Sequence, residues 1–311
     1  MAFSYPQTKY HGRMNTVRLG QSRLPVGGQT SLFLHDFEGS NPNPPRLSLD
    51  VWDYDPVEDW PQALLEVYEG VRQDPGLWAG KCVEYGADVV TLHLKSTSPN
   101  NQDLGAGQAV KSVGRVLEEI DVPLIVMGVD YAEKDVETLS AVAEEFSGRN
   151  LLLGPVTTRN YKRIGAQALA HGHSVIALSP TDFNLAKQLN ILLYGMGMLK
   201  DRIIMDPTAA ALGYGMEYCY SVMEQLQIAA LVLDDQDAQH PMISLFGEDV
   251  WRSKEAAQAP EDSSLGGAGG ASRGVMLEAA EAVAMIVAGA GILCMRHPEA
   301  LKAARQFLSE F

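Results

Sequence analysis

The chain has 311 residues, 46% of them hydrophobic, with 24 basic against 39 acidic side chains and a net charge of -15. That length supports a full core and leaves one large barrel or two modest domains as the alternatives. The acidic balance opposes condensation on a phosphate backbone or an anionic leaflet, which argues against nucleic acid and membrane as partners.

The first residues, MAFSYPQTKYHGRMN, lack the apolar run of a signal peptide. No uncharged apolar stretch reaches the roughly 18 residues of a spanning helix, so a soluble, cytoplasmic protein is expected. Residues 1–45 hold Gly27-Gly28 and the prolines 42, 44 and 45, and read as an N-terminal extension wrapping the N-terminal end of the fold. Within it, Leu32-Phe33-Leu34 suggests a short strand or plug.

From residue 46 to the end, short β-branched runs alternate with amphipathic stretches, the pattern of repeated βα units around a parallel sheet. Eight strands are expected, at 47–52, 88–94, 122–127, 150–153, 174–178, 202–205, 241–245 and 291–295. Between them, Ala109, Val110, Val113, Val116, Leu117 and Ile120 form one helical stripe. Val136, Leu139, Val142 and Phe146 form a second in a helix that Asp135 is expected to cap, and a broader stripe follows Asp182. Eight units over 46–311 predict a single (β/α)8 TIM barrel, whose usual size is about 250 residues. A doubly wound sheet is the alternative, but no strand is followed by the glycine-rich phosphate loop it would normally carry. Residues 259–272, APEDSSLGGAGGAS, are poor in apolar side chains and are expected to form a mobile loop at the upper face.

In such a barrel the strand C-termini share one rim, so residues far apart in sequence converge there. The rim candidates include Asp53, Ser96, Ser98, Asn100, Asp130, Thr157, Asp182, Asp206, Thr208, Glu248, Arg296 and His297. Taken singly, several are ordinary helix caps or turn starters. Together they suit a polar neutral ligand bearing amides or a ring nitrogen. His93 reads as a satisfied core histidine in preference to a base. The three cysteines, Cys82, Cys219 and Cys294, are far apart and read as buried thiols, so neither a disulfide frame nor a self-contained iron–sulfur or zinc site is expected. No nucleophile elbow or Cys–His pair is recognisable, which favours binding over catalysis.

Four stretches go further: WAGKCVEYGAD at 78–88, STSPN at 96–100, DPTAAALGYGMEY at 206–218 and MRHP at 295–298. With them the chain resembles the small (delta) subunit of the corrinoid iron–sulfur protein of the acetyl-CoA decarbonylase/synthase system, from about Gly28 to the end. The resemblance implies a barrel without its own metal cluster, holding cobalamin jointly with a large (gamma) subunit that carries the four-iron cluster. It implies methyl transfer from a methyl-tetrahydropterin, by way of a methyltransferase, to acetyl-CoA synthase. On that reading Asn100, Asp130, Thr157, Asp182, Asp206, Gly213, Tyr214, Gly215 and Arg296 are the corrinoid-side candidates. Tyr214, Met216 and Trp251 are the apolar groups expected at the mouth. A stand-alone pterin-dependent methyltransferase, using Asn100, Asp130, Asp182 and Asp206, is the second reading.

Overall fold

The computed structural model describes residues 7–257 and 270–311. An antiparallel ribbon, β1 (Thr16–Leu19) and β2 (Leu24–Gly27), precedes eight parallel strands. These are β3 (Arg46–Trp52), β4 (Val89–His93), β5 (Leu124–Met127), β6 (Leu152–Val156), β7 (Ser174–Leu178), β8 (Ile203–Asp206), β9 (Met242–Ser244) and β10 (Ala290–Met295). They close into a barrel in the order β10-β3-β4-β5-β6-β7-β8-β9. All eight expected strands are present, each shifted by at most a few residues from the sequence reading.

Helices return the chain from one strand to the next. They are α1 (Gln62–Val67), α2 (Pro75–Glu84), α3 (Ala106–Leu117), α4 (Ala132–Glu145), α5 (Tyr161–His171), α6 (Phe183–Gly195), α7 (Met216–Leu231), α8 (Gly247–Arg252), α9 (Lys254–Ala257), α10 (Gly270–Ala288) and α11 (Pro298–Leu308). Their apolar stripes are buried as expected: Ala109, Val113 and Val116 on α3, Val136, Leu139 and Val142 on α4, Ala186, Leu189 and Leu193 on α6. They pack on the outward-facing strand residues, Leu47, Leu49 and Val51 among them, to form the larger core.

Two sequence expectations change here. Asp135 does not cap α4: Tyr131 holds the cap position, and the Asp135 side chain turns inward to accept the Val129 amide at 2.7 Å. Leu32-Phe33-Leu34 is not a strand either, because Phe33–Glu38 winds as a 3-10 segment with Leu34 largely exposed. The plug is the ribbon. Val17, Leu19 and Val26 are fully buried against the inward residues Val89, Ile125, Leu152, Ile176, Ile204 and Ile292. The ribbon is tied down by the Gly20 amide, which donates to the Asn150 carbonyl at 3.1 Å. The expected loop at 259–272 falls mostly on 258–269, outside the described residues; α10 already begins at Gly270.

An open barrel end would expose this inner apolar layer, and each fully buried aliphatic side chain contributes about 1.5–3 kcal/mol. Leu19→Ala should therefore destabilise the protein by about 3 kcal/mol. Urea unfolding checks this; a loss below about 1 kcal/mol would mean the ribbon is not part of the cooperative core.

Candidate functional site

Because every barrel strand points the same way, the residues after β3, β4, β5, β6, β7, β8 and β10 lie at one end. There the barrel opens into a cavity of about 390 Å³. Met127, Pro155, Leu178 and Leu245 supply apolar wall, and His93, Asp130, Asp206, Ser98, Lys95 and Glu248 the polar lining.

The floor is a buried charge network. Asp50, on the inward register of β3, places Oδ1 3.1 Å from His93 Nε2 and Oδ2 3.3 Å from Arg296 Nε. Arg296 reaches on to Glu248 Oε2 at 3.1 Å, which also takes Lys95 Nζ at 2.9 Å. The Arg296 guanidinium lies over the rings of Trp60 and Trp52, at 4.7 and 5.4 Å from their centroids. Burial alone would raise the Glu248 carboxyl, but Arg296 and then Lys95 outweigh it and bring it down to about 2. His93 is not the satisfied core histidine the sequence suggested. Its Nε2 and Asp50 Oδ1 are close but poorly aligned, and both are buried without a hydrogen-bond partner.

The opposite wall is acidic. Burial first, and the nearby Asp130 charge after it, push Asp206 up to about 7 against the opposing pull of the Thr208 amide, which donates to its Oδ1 at 2.7 Å. Asp130 is raised too, by burial. Behind the β5 loop Asp135 is pushed up to about 7, chiefly by burial, with Oδ2 unpartnered. Its carboxyl occupies the space a Cβ at position 128 would need, so any larger residue than Gly128 would displace Asp135. Three non-glycine residues at strand ends adopt left-handed backbone: Asp130 (φ 55°), Thr181 (φ 44°) and Thr208 (φ 60°). For a β-branched residue that conformation is strained, and such strain concentrates at ligand sites.

The remaining candidates divide. Asp53 is buried and bound by the Ser96 amide at 2.9 Å and by the Ser96 hydroxyl, so it fixes a turn. Asp182 caps α6, its Oδ1 accepting the Leu185 amide at 2.9 Å, and Thr157 lies in the turn before α5, where its amide donates to Asn160, the cap residue of that helix. Neither lines the cavity, and nor does Asn100, which sits exposed in the turn beyond Ser98. Arg296 is only 2% exposed and acts from beneath the floor. Gly213 and Gly215 adopt φ of 81° and 110° around Tyr214, which is 55% exposed and donates to Glu255 at 3.0 Å. Trp251 is not a mouth group: it is buried, stacks on His297 and donates to Glu278 at 3.0 Å. Met216 is half-buried against the core.

Sequence reasoning missed Asp50, Glu278 and Glu281. Asp50 is a lone acid on the inward register of an apolar strand, a readable signal. Glu278 and Glu281 stand three apart on the apolar helix α10. Glu278 accepts the amides of Arg296 at 2.5 Å and His297 at 3.0 Å; Glu281 accepts that of Leu212 at 2.9 Å. Burial pushes them up to about 7 and about 8. Among the described residues no group of three or more His, Cys, Asp or Glu is arranged to hold a metal ion, and no helix is long and apolar enough to cross a membrane.

Fold and mouth together define a (β/α)8-barrel protein with a buried, acid-rich site at the strand C-termini. The family model of the CO dehydrogenase/acetyl-CoA synthase delta subunit matches residues 16–304, and the chain belongs to that family. The acetyl-CoA decarbonylase/synthase complex subunit delta of Methanothermobacter thermautotrophicus is 35% identical, over 99% of this chain and 78% of its own length. That of Archaeoglobus fulgidus is also 35% identical, over 94% of this chain and 67% of its own length. Among solved structures, dihydropteroate synthase of Xanthomonas albilineans with 4-aminobenzoic acid superposes with a TM-score of 0.59 at 13% identity, covering 94% of this chain and 98% of that one. The Coxiella burnetii enzyme in complex with pteroic acid gives 0.58 at 13%, covering 91% and 98%. These neighbours share the barrel fold.

Two predictions follow from the buried charges. Arg296→Met strands Asp50 and should cost about 3–5 kcal/mol in denaturant unfolding, whereas adding Asp50→Leu should recover part of the loss. A single variant as stable as the parent would show that the pair is not coupled. The second concerns pH: Asp135, Asp206, Glu278 and Glu281 are raised acids, so the folded state binds more protons than the unfolded chain between the ordinary carboxyl range and about 7–8. Their contribution to stability is complete below that range and is lost as pH rises through the folded values. His297 and His240, both lowered by burial to about 4, act oppositely only below about 6.5. Stability should fall from about pH 6.5 to 8. Glu281→Gln should remove on the order of 1 kcal/mol of that fall while keeping the Leu212 contact. Thermal melts across the range decide, and an unchanged slope in the variant would exclude Glu281 as a source.

Proposed function

We propose that this chain is the small, corrinoid-facing subunit of a cytoplasmic, heterodimeric methyl carrier serving acetyl-CoA synthesis. Its large (gamma) partner would contribute the corrinoid-binding domain and the iron–sulfur cluster. A methyltransferase would load the methyl group from a methyl-tetrahydropterin, and acetyl-CoA synthase would receive it. Family membership and the names of the relatives support the assignment to the acetyl-CoA system.

The observation that carries the reading is the size and openness of the mouth. A cavity of about 390 Å³ suits a group of small-molecule size and cannot enclose a corrinoid with its amide arms. The macrocycle would lie across the rim with its other face on a second protein. The donor set fits this. Cys82, Cys219 and Cys294 are all buried and so offer no thiolate at the mouth, while His93 and Asp50 hold unmatched polar atoms beneath it. Bound there, the corrinoid would supply the cobalt that carries the methyl group. The chain's own part is to seat and shield the ring. Tyr214 offers an exposed aromatic edge, Gly213 and Gly215 leave backbone free to approach, and Asp130 and Asp206 present hydrogen-bonding groups to amides.

The test is to express this chain alone and with its large subunit, then compare cobalt content and visible corrin bands. Cobalt near one equivalent is expected only in the pair. Tyr214→Ala should reduce retention there several-fold without altering the circular dichroism spectrum. Full retention by the isolated chain would overturn the shared site and favour the stand-alone methyltransferase.

A further inference from the structure

Three of the four tryptophans and three tyrosines, drawn from β3, α2 and the segments around α1, form one line of rings. From Tyr85 it runs to Tyr68 with ring centroids 6.0 Å apart, then to Trp78 at 5.2 Å and Trp60 at 5.1 Å. It continues to Trp52 at 5.7 Å and ends on Tyr54 at 5.6 Å. Every ring between the two end tyrosines is buried. Aromatic contacts of this kind are common in cores, but the polar atoms here are unusual. The indole N–H groups of Trp52, Trp60 and Trp78 are buried without an acceptor among the described residues, whereas Trp251, outside the line, donates to Glu278 at 3.0 Å. A buried donor left unpaired costs about 1–3 kcal/mol, and three in one cluster call for a reason.

The phenols differ from one another as well. Tyr68 and Tyr85 donate to backbone carbonyls, of Arg296 at 2.7 Å and Val67 at 2.8 Å, which are too weakly basic to take a proton. Tyr54, at the half-buried end of the line, donates to the exposed Asp59 carboxylate at 2.7 Å. An indole that loses an electron with no base beside it keeps its proton, so the positive hole stays free to move to the next ring. A phenol held on a carboxylate gives up its proton as it loses an electron and traps the hole as a neutral radical. The Arg296 guanidinium over Trp60 and Trp52, and Lys95 Nζ 5.1 Å from the Trp52 centroid, disfavour a second positive charge on those two rings.

We propose that Trp78, Trp60 and Trp52 form a relay that carries oxidising holes out of the barrel wall to Tyr54, with Asp59 as the proton acceptor. The oxidant class is a peroxyl radical, which takes one electron from the line and one proton from water to become a hydroperoxide. The electron is made good by Tyr54, whose phenolic proton passes to Asp59 and on to water, leaving a neutral tyrosyl radical at the surface. A small thiol restores Tyr54 by giving it a hydrogen atom, and two of the resulting thiyl radicals couple to a disulfide. The relay would spare the buried indoles, and it does not depend on the corrinoid reading.

The experiment uses the purified full chain. An ultraviolet flash ejects electrons from the indoles, and transient absorption follows the indole radicals while freeze-quenched electron paramagnetic resonance identifies their successor. The indole signal should decay in step with the rise of a phenoxyl signal, at a rate independent of protein concentration. Tyr54→Phe should remove most of that rise and lengthen the life of the indole radicals. Asp59→Asn, at an exposed position, should slow the rise about tenfold or more by removing the proton acceptor. Circular dichroism should be unchanged in both variants. With an azo initiator releasing peroxyl radicals in the presence of glutathione, mass spectrometry should find Trp52, Trp60 and Trp78 oxidised several-fold more in Tyr54→Phe than in the parent. A phenoxyl rise of equal size and rate in Tyr54→Phe, or equal indole oxidation in the two proteins, overturns the relay.

Discussion

The mouth depends on the buried pair of Asp50 and Arg296. Both are 2% exposed, and neither charge could be held there without the other. Arg296 lies over Trp60 and Trp52, so its cost of leaving water is met by stacking as well as by two carboxylates. Through that guanidinium β10 is joined to β3 and, by way of Glu248, to the start of α8 and to Lys95 beyond β4. The same Asp50 lies 3.1 Å from His93 Nε2. Four elements widely separated in sequence are thus held in register by one side chain.

A second constraint comes from behind the barrel. Helix α10 places Glu278 and Glu281 so that three backbone amides, of Leu212, Arg296 and His297, end on two buried carboxyls. Free amides at those turns would otherwise be buried without acceptors. Carboxyls kept this dry hold protons readily, which avoids stacking more negative charge near Asp50 and Asp249. Glu281 thus holds the turn between Thr208 and the Gly213–Gly215 segment, and Glu278 the turn from β10 into α11, so both rim turns are tied to α10.

The two barrel ends divide the work. The ribbon closes the N-terminal end with apolar side chains and contributes stability. The C-terminal end is left unfilled, and its inward positions carry Asp50, His93, Asp206 and Arg296 where the lower layers carry valine, leucine and isoleucine. The barrel accounts for most of this chain, which spans 78% and 67% of the lengths of two delta-subunit relatives.

The sequence by itself determined the barrel. Eight apolar runs at regular spacing with helical stripes between them admit little else, since hydrophobic periodicity sets which face each element buries. It also placed the rim residues at one end, because parallel strands leave no choice about where their C-termini go. The family was legible as well, in stretches such as 206–218. What the sequence left open was which rim residues point into the cavity. Asn100, Thr157 and Asp182 have the same local pattern as Asp130 and Asp206, yet local capping and turns claim them. Asp135 looked like a cap and proved to be a buried strut, because the conformation of the β5 loop, with Asp130 at positive φ, brings the Val129 amide to it. The pairing of Asp50 with Arg296 spans 246 residues, and the ribbon's role as plug depends on the barrel it fills. Contacts of that kind carry no local signature; they exist only once closure has brought distant strands side by side.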